Sequence, residues 1–193
     1  MNDMIFETVV TTLAADGTPH VAPFGVRYSE GRVLLKPFKP SATLDNIRAS
    51  GHAVLNLTTD VRVFAGAVTA RWLGPRSWSL LPVATIAGVR LAQALSHVVL
   101  ALEHDDDHDE RPTLTLRRVH EEQHLPFAGF NRAQAAVIEG AVLVSRLHML
   151  QTEKIDAEMA YLQIAIDKTA GDAERQAFGW LQQAVAAHRA AAR

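Results

Sequence analysis

A chain of 193 residues, 48% hydrophobic and 21% charged, carries enough apolar material for one globular domain with an appendage. A net charge of -2 leaves no electrostatic footprint for nucleic acid. The lack of cysteine excludes disulfides, thiolate nucleophiles, iron–sulfur clusters and cysteine zinc sites, and fits a cytoplasmic protein. The first ten residues carry an acid at Asp3 and no basic region before a long apolar core, so no signal peptide is expected.

The first half reads as strands. Ile5–Leu13 is rich in β-branched residues and ends at Ala14-Ala15-Asp16-Gly17, a strong turn signal. Val21–Tyr28 is the returning strand. Pro23 inside it suggests an edge or a bulge, and Gly25 suggests close approach by a ligand or another backbone. Glu30-Gly31 turns the chain into a strand at Arg32–Lys36.

The stretch Arg32–Asp60 concentrates the chemistry. After Lys36 comes a rigid loop, Pro37-Phe38-Lys39-Pro40. Ser41 and Thr43 then fit the entry to a short helix through Asn46 and Arg48, which Gly51 stops. Two ammonium groups, two hydroxyls and a helix N-terminus converge on a few residues. Helix N–H groups and the positive end of the helix dipole suit an anion, and lysines add point charges for phosphate. A plain helix cap with solvated lysines is the alternative.

A second strand, Ala53–Leu57, follows. Asp60–Ala70 reads as a capped helix and Arg71–Pro82 as loop. His97–Glu103 and Thr113–Val119 form a hairpin, with Leu114 and Leu116 opposed to Thr113, Thr115 and Arg117. The run His104–Glu110 between them reads as a charged, solvated tip that discourages edge pairing, and no metal is expected there.

The last third is helical. Asn131 is a cap for Arg132–Gln151, Thr152 a cap for Glu153–Lys168, and Gly171-Asp172 separates these from Ala173–Ala191. Ala133–Leu150 is the most apolar segment, but Glu139 and Arg146 lie inside it, so it reads as a buried helix and not a membrane span. Arg132, Glu139 and Arg146 recur on nearly one face and read as a salt-bridge line or a subunit contact. Strands first and helices last make the fold class α+β.

The segments FETVVTT, DGTPHVAPFGV, LLKPFKPSATLDNI, HAVLNLTTDVRVFA and PFAGFNRAQAAVIEGAVLVSRL, in this order, resemble the DUF447 family of the FMN-binding split-barrel superfamily. The resemblance runs from Phe6 to about Gly171; the run His104–Glu110 and the last helix carry no matching motif. It implies a six-stranded antiparallel split β-barrel over residues 1–125 and a C-terminal helical region over 126–193, packed on the barrel or on a dimer partner. It further implies a homodimer with FMN at the interface. Lys36, Lys39, Ser41 and Thr43 would hold the phosphate, Pro37 would line the cofactor site, and Pro23, Phe24 and Gly25 would sit near the flavin. Phe38 would cover the ring or lie in the core. Asn56 would meet a ring edge, and Asp60 and Val61 would offer backbone groups. Asn131 and Arg132 would reach the ligand, or Asn131 would serve only as a cap. Relatives often carry arginine where Lys36 stands, and lysine cannot clamp two oxygens in a planar fork, so a more exchangeable flavin is implied.

No Gly-x-Ser-x-Gly, His-Glu-x-x-His, P-loop or Gly-x-Gly-x-x-Gly is present. Any chemistry therefore belongs to the cofactor. The reading is an FMN-dependent oxidoreductase or flavin reductase-like protein with a small-molecule redox partner. A non-catalytic flavin carrier or sensor, an F420-binding protein, and a haem protein using His20, His52 or His97 are the alternatives. Each of those histidines stands alone in its segment.

Overall fold

The computed structural model describes residues 4–108 and 110–191. The chain divides into two compact units. One comprises residues up to Thr58 together with Trp78–Phe127, and the other comprises Thr59–Ser77 with the residues from Ala128 onward. The fold class is α+β, as expected.

The first unit is a closed antiparallel barrel of six strands. They are β1 (Phe6–Leu13), β2 (Pro19–Ser29), β3 (Arg32–Leu35), β4 (His52–Leu57), β7 (Ser96–Asp106) and β8 (Thr113–Gln123). The order around the barrel is β1-β2-β3-β8-β7-β4, and β4 closes on β1. Pro23 pairs with Val9 of β1, while β3 reaches only Val26–Ser29 of β2. Pro23 thus lies where the other edge of β2 is free, and its missing N–H breaks no ladder there. Gly25 is close-packed: a Cβ on it would stand 2.7 Å from Ile5 Cγ2.

Alternation sends Val10, Val26, Val33, Leu35, Ala53, Leu55, Val98, Leu100, Leu114 and Leu116 into one buried cluster. Helix α1 (Ala42–Ser50) adds Leu44 and Ile47 to it. Full burial of such side chains stabilises by about 1.5–3 kcal/mol each, so α1 is fixed by packing as well as by its caps. β4 is buried on both faces because its other face is also covered. Val54 and Val99 pack there with Val83 and Ile86.

That cover corrects part of the expected loop at Arg71–Pro82. A helix runs to Leu73, and Leu80–Pro82 is a short strand, β5, paired with β6 (Val89–Leu91). Three-residue strands carry no readable alternation. They are held instead by barrel side chains: Asn56 Oδ1 accepts from Leu91 N at 2.7 Å, and the Thr11 hydroxyl donates to Val89 O.

The second unit contains α2 (Arg62–Leu73), α3 (Arg132–Ser145), a 3-10 turn (Leu147–Met149), α4 (Thr152–Thr169) and α5 (Asp172–Ala191). Val63, Phe64, Val137, Val144, Phe178 and Leu181 are buried within it. Gly140 lets α5 come close, since a Cβ there would stand 2.9 Å from Leu181 Cδ1. The helix expected over Arg132–Gln151 ends at Ser145, where Arg146 adopts φ -114° and ψ 14°. The tighter turn that follows buries Leu147. The apolar spacing continues through this break and so does not mark it. Among the described residues, no helix is long and apolar enough to cross a membrane.

Candidate functional site

The loop from β3 into α1 is built locally. β3 ends at Leu35, and Pro37 is buried while Lys36, Phe38 and Lys39 are exposed. Ser41 is the N-cap: its Oγ accepts from Leu44 N at 3.3 Å. Gly51 ends the helix at φ 73°, donating its N–H to Ile47 O at 2.8 Å. The N–H groups of Ala42 and Thr43 precede the first intrahelical donor, so the helix ladder does not use them. Thr43 is buried, and its Oγ1 has no hydrogen-bond partner among the described residues. A buried hydroxyl left unpaired is costly.

The acidic run differs from the solvated tip expected of it. Asp107 Oδ1 lies 2.6 Å from Lys39 Nζ and 2.7 Å from Arg48 Nη2. Asp105 receives Arg48 Nε at 2.7 Å. Bonds from Lys39 first, then from Arg48, hold the Asp107 carboxyl at about 2. Two further contacts tie this connection to the loop. Lys39 N donates to Glu110 O at 2.9 Å, and Arg111 donates to Lys36 O at 3.2 Å. The Arg111 guanidinium also sits 4.0 Å over the Phe38 ring. Asp107 and Arg111 are the residues the sequence reading missed. Both are about 70 positions from the loop, and only the pairing of β3 with β8 brings them near.

The other expected ligand residues fall in different settings. Pro23, Phe24 and Gly25 lie on the free-edged part of β2, and Phe24 packs against the barrel core. Phe38 is not core: it is 61% exposed. Asn56 is fully buried. Its Nδ2 is within 3.2 Å of Val9 O, Thr11 Oγ1 and Val54 O, and its Oδ1 takes Leu91 N. Neither amide proton is left for a ligand.

Four expected residues belong to the helical unit. Asp60 pairs with Arg62 Nε and Nη2 at 2.8 and 2.7 Å, and its carbonyl accepts from Val63 N. Val61 is buried, and its carbonyl accepts from Ala65 N. Asn131 caps α3, taking Ala133 N at 2.8 Å and giving Nδ2 to Thr169 O at 3.0 Å. Arg132 lines a groove between α3 and α4 with Glu139, Tyr161 and Leu162.

His97 does not stand alone. Its Nδ1 lies 2.8 Å from His124 Nε2, and its ring centroid is 6.1 Å from that of His120. His20 is half-buried on β2, where burial lowers its pKa. His52 Nδ1 meets Ser50 O at 2.8 Å.

An FMN-bound DUF447 protein from Methanosarcina mazei has a similar structure, with a TM-score of 0.76 and 22% identity over 93% of this chain and 94% of that one. The NADH:FAD oxidoreductase of Streptomyces globisporus C-1027 matches 62% of this chain and 76% of its own, with a TM-score of 0.51 and 12% identity. The styrene monooxygenase flavin reductase of Pseudomonas putida S12 matches 63% and 82%, with a TM-score of 0.51 and 11% identity. No curated protein matches the chain. The family described as "Protein of unknown function (DUF447)" matches through its N-terminal domain at residues 6–125 and through a second domain at 131–183, and the chain belongs to the DUF447 family.

Proposed function

We propose that this protein binds FMN, with the phosphate at the start of α1, and acts as a flavin-dependent oxidoreductase of the flavin reductase type. The observation that carries the reading is the β3–α1 loop. It offers two exposed lysines, the capped start of a nine-residue helix and the unpaired Thr43 hydroxyl within a few positions. An FMN-bound protein of the same family, similar over nearly the whole chain, supports the choice of ligand.

The residues present fit a phosphate monoester. Lys36 and Lys39 would neutralise it, the Ala42 and Thr43 N–H groups would donate to it, and Thr43 Oγ1 would gain a partner. Phe38 is exposed in this loop with Arg111 over one face of its ring, and the other face would lie against a planar ring. Asn56 is not among the proposed contacts, because its amide is used inside the barrel. A bound flavin supplies hydride or single-electron transfer that no side chain here provides. The chain's own part is to hold the phosphate, orient the ring and keep water from it. A small-molecule donor or acceptor would complete the reaction.

The reading includes a homodimer in a soluble, cytoplasmic setting. Ile5 and Phe6 at the start of β1 are 54% and 39% exposed, an apolar edge next to the close-packed Gly25 that a second copy would cover. Light scattering at micromolar concentration should give twice the 21.1 kDa chain mass.

The deciding experiment is a visible spectrum and mass of the copurifying ligand, followed by titration of the stripped protein with FMN. FMN recovered and rebound supports the reading; a bound deazaflavin, or no binding of either, sinks it. Oxidation of NAD(P)H by the loaded protein separates a reductase from a carrier.

A further inference from the structure

A second site stands on the outer face of the barrel, built from residues the loop does not use. Along β7, His97 and Val99 point to the same side. The register with β8 sets Glu122 opposite His97 and His120 opposite Val99. Cross-strand partners share a face, so His97, His120 and Glu122 come together on one patch. A bulge between Val99 and Leu100 accommodates Val119 as an extra residue on β8 and keeps His120 and Glu122 on this side. One ligand atom from each of the three lies within 4.8 Å of the others.

His97 is the informative member. It is 2% exposed, yet its Nε2 has no hydrogen-bond partner among the described residues. Its other nitrogen, Nδ1, is 2.8 Å from His124 Nε2. The two rings are within 2° of parallel with centroids 5.0 Å apart. That separation is what coplanar imidazoles joined nitrogen to nitrogen have, so the contact is an in-plane hydrogen bond and not a face-to-face stack. With His97 Nδ1–H donating to His124, the lone pair lies on His97 Nε2. His124 then carries its proton on Nδ1, which faces Glu122 Oε1 at 3.9 Å. A buried imidazole with one nitrogen oriented by a neighbour and the other unsatisfied is the arrangement of a metal ligand and its supporting partner.

We propose that His97 Nε2, a ring nitrogen of His120 and the Glu122 carboxylate bind one divalent transition-metal ion of the zinc class, with His124 as the positioning residue behind His97. Two imidazoles and a carboxylate suit borderline cations, not calcium or magnesium. Ligands about 2.0–2.2 Å from a tetrahedral zinc ion stand roughly 3.3–3.6 Å apart. Closing the site therefore needs a shift on the order of 1 Å, which the exposed His120 and Glu122 side chains make by changing rotamer while His97 stays fixed. Three protein ligands leave a fourth position open to water or a small anion. The site is separate from the flavin reading and does not depend on it.

The test uses full-length, tag-free protein stripped with a chelator and titrated with Zn²⁺ against a chromophoric competitor. Co²⁺ serves as the spectroscopic probe. One equivalent per chain, with visible ligand-field bands for Co²⁺, is expected. His120→Ala and Glu122→Gln, both at exposed positions, should each weaken binding at least tenfold and lower the Co²⁺ bands without changing the far-ultraviolet spectrum. His124→Phe should weaken binding and alter the bands of any residual complex. Binding that is unchanged in both His120→Ala and Glu122→Gln overturns the proposal. So does binding lost instead on replacing His104 and His108, or the absence of a stoichiometric complex at micromolar metal.

Discussion

Lys39 and Asp107 meet at 2.6 Å, so the cation best placed to greet an anion at the start of α1 is already shared with a carboxylate. Arg48 holds the same carboxylate oxygen at 2.7 Å, and the two cations keep Asp107 ionised down to about 2. An incoming phosphate would compete with Asp107 for Lys39. Replacing Asp107 by Asn keeps the shape and removes the competing charge. FMN should bind several-fold more tightly to Asp107→Asn than to the parent, with a steeper loss of affinity in salt. Fluorescence titration of the two proteins at two ionic strengths checks it. An unchanged dissociation constant would place the phosphate away from Lys39.

Removing the loop's own groups should act in the opposite direction. Lys39→Ala with Ser41→Ala should weaken FMN by roughly 2–4 kcal/mol, taking charge-assisted bonds at about 1.5–3 kcal/mol each and allowing for non-additivity. Ser41→Ala also removes a helix cap worth about 0.5–2 kcal/mol, so stability is measured alongside by urea unfolding. A loss of stability without any loss of FMN affinity counts against the placement.

Thr43→Val separates the cap from the ligand contact. In the free protein the Thr43 hydroxyl is buried without a partner, so the isosteric valine should leave stability unchanged or raise it by about 1 kcal/mol. FMN affinity should nevertheless fall about tenfold, the value of one hydrogen bond to a charged acceptor. A valine variant that is less stable when free of ligand would mean that the hydroxyl has a role in the fold itself.

What could be read from the sequence is what is decided locally. Ser41 and Gly51 mark both ends of α1, and Asn131 marks the start of α3, because caps act within a turn of the helix they end. The hairpin of β7 and β8 follows from alternation in Thr113–Val119. Pairings between distant segments left no such trace. Nothing in Arg32–Leu35 says that it pairs with β8, and so Asp107 and Arg111 were not connected with the loop. Asn56 looked like a polar residue on an apolar strand, open to a ligand. Its partners Val9, Thr11 and Leu91 lie 35 to 47 residues away. His97 stands alone in its own segment for the same reason, its neighbours lying 23 and 27 positions on in the paired strand and just past it.

Asn56 provides a stability test that is independent of any ligand. Asn56→Ala would strand Leu91 N and take the amide away from Val9 O and from Thr11 Oγ1, which still donates to Val89 O, in a site with no exposure. Each buried group left unpaired costs about 1–3 kcal/mol, less what water entering the space recovers, so a total loss of about 2–4 kcal/mol is expected. Urea unfolding measures it. Because the amide is proposed to serve the barrel and not the flavin, FMN affinity of the folded variant should stay within about twofold. A large drop in affinity with little loss of stability would reverse that assignment.

His20 should make the barrel's stability fall in mild acid. It lies on β2 opposite Thr12, and burial holds its pKa below the ordinary 6.5. In the unfolded chain it takes up a proton as the pH falls through about 6.5, whereas in the fold it resists until lower pH. The unfolded state therefore binds more protons in that window. The stability this group contributes is fully present above pH 6.5 and declines as the pH falls toward the folded value. His20→Gln removes the titrating group and keeps a polar side chain of similar length. The variant should show a flatter fall in urea midpoint between pH 7 and pH 5 than the parent, with the two curves closest together at neutral pH. Because His20 is only half-buried, the difference should be modest and present at high salt as well as low, since its cause is burial and not a charged neighbour. Parallel slopes for the two proteins would show that His20 is solvated in solution and that the acid sensitivity comes from elsewhere.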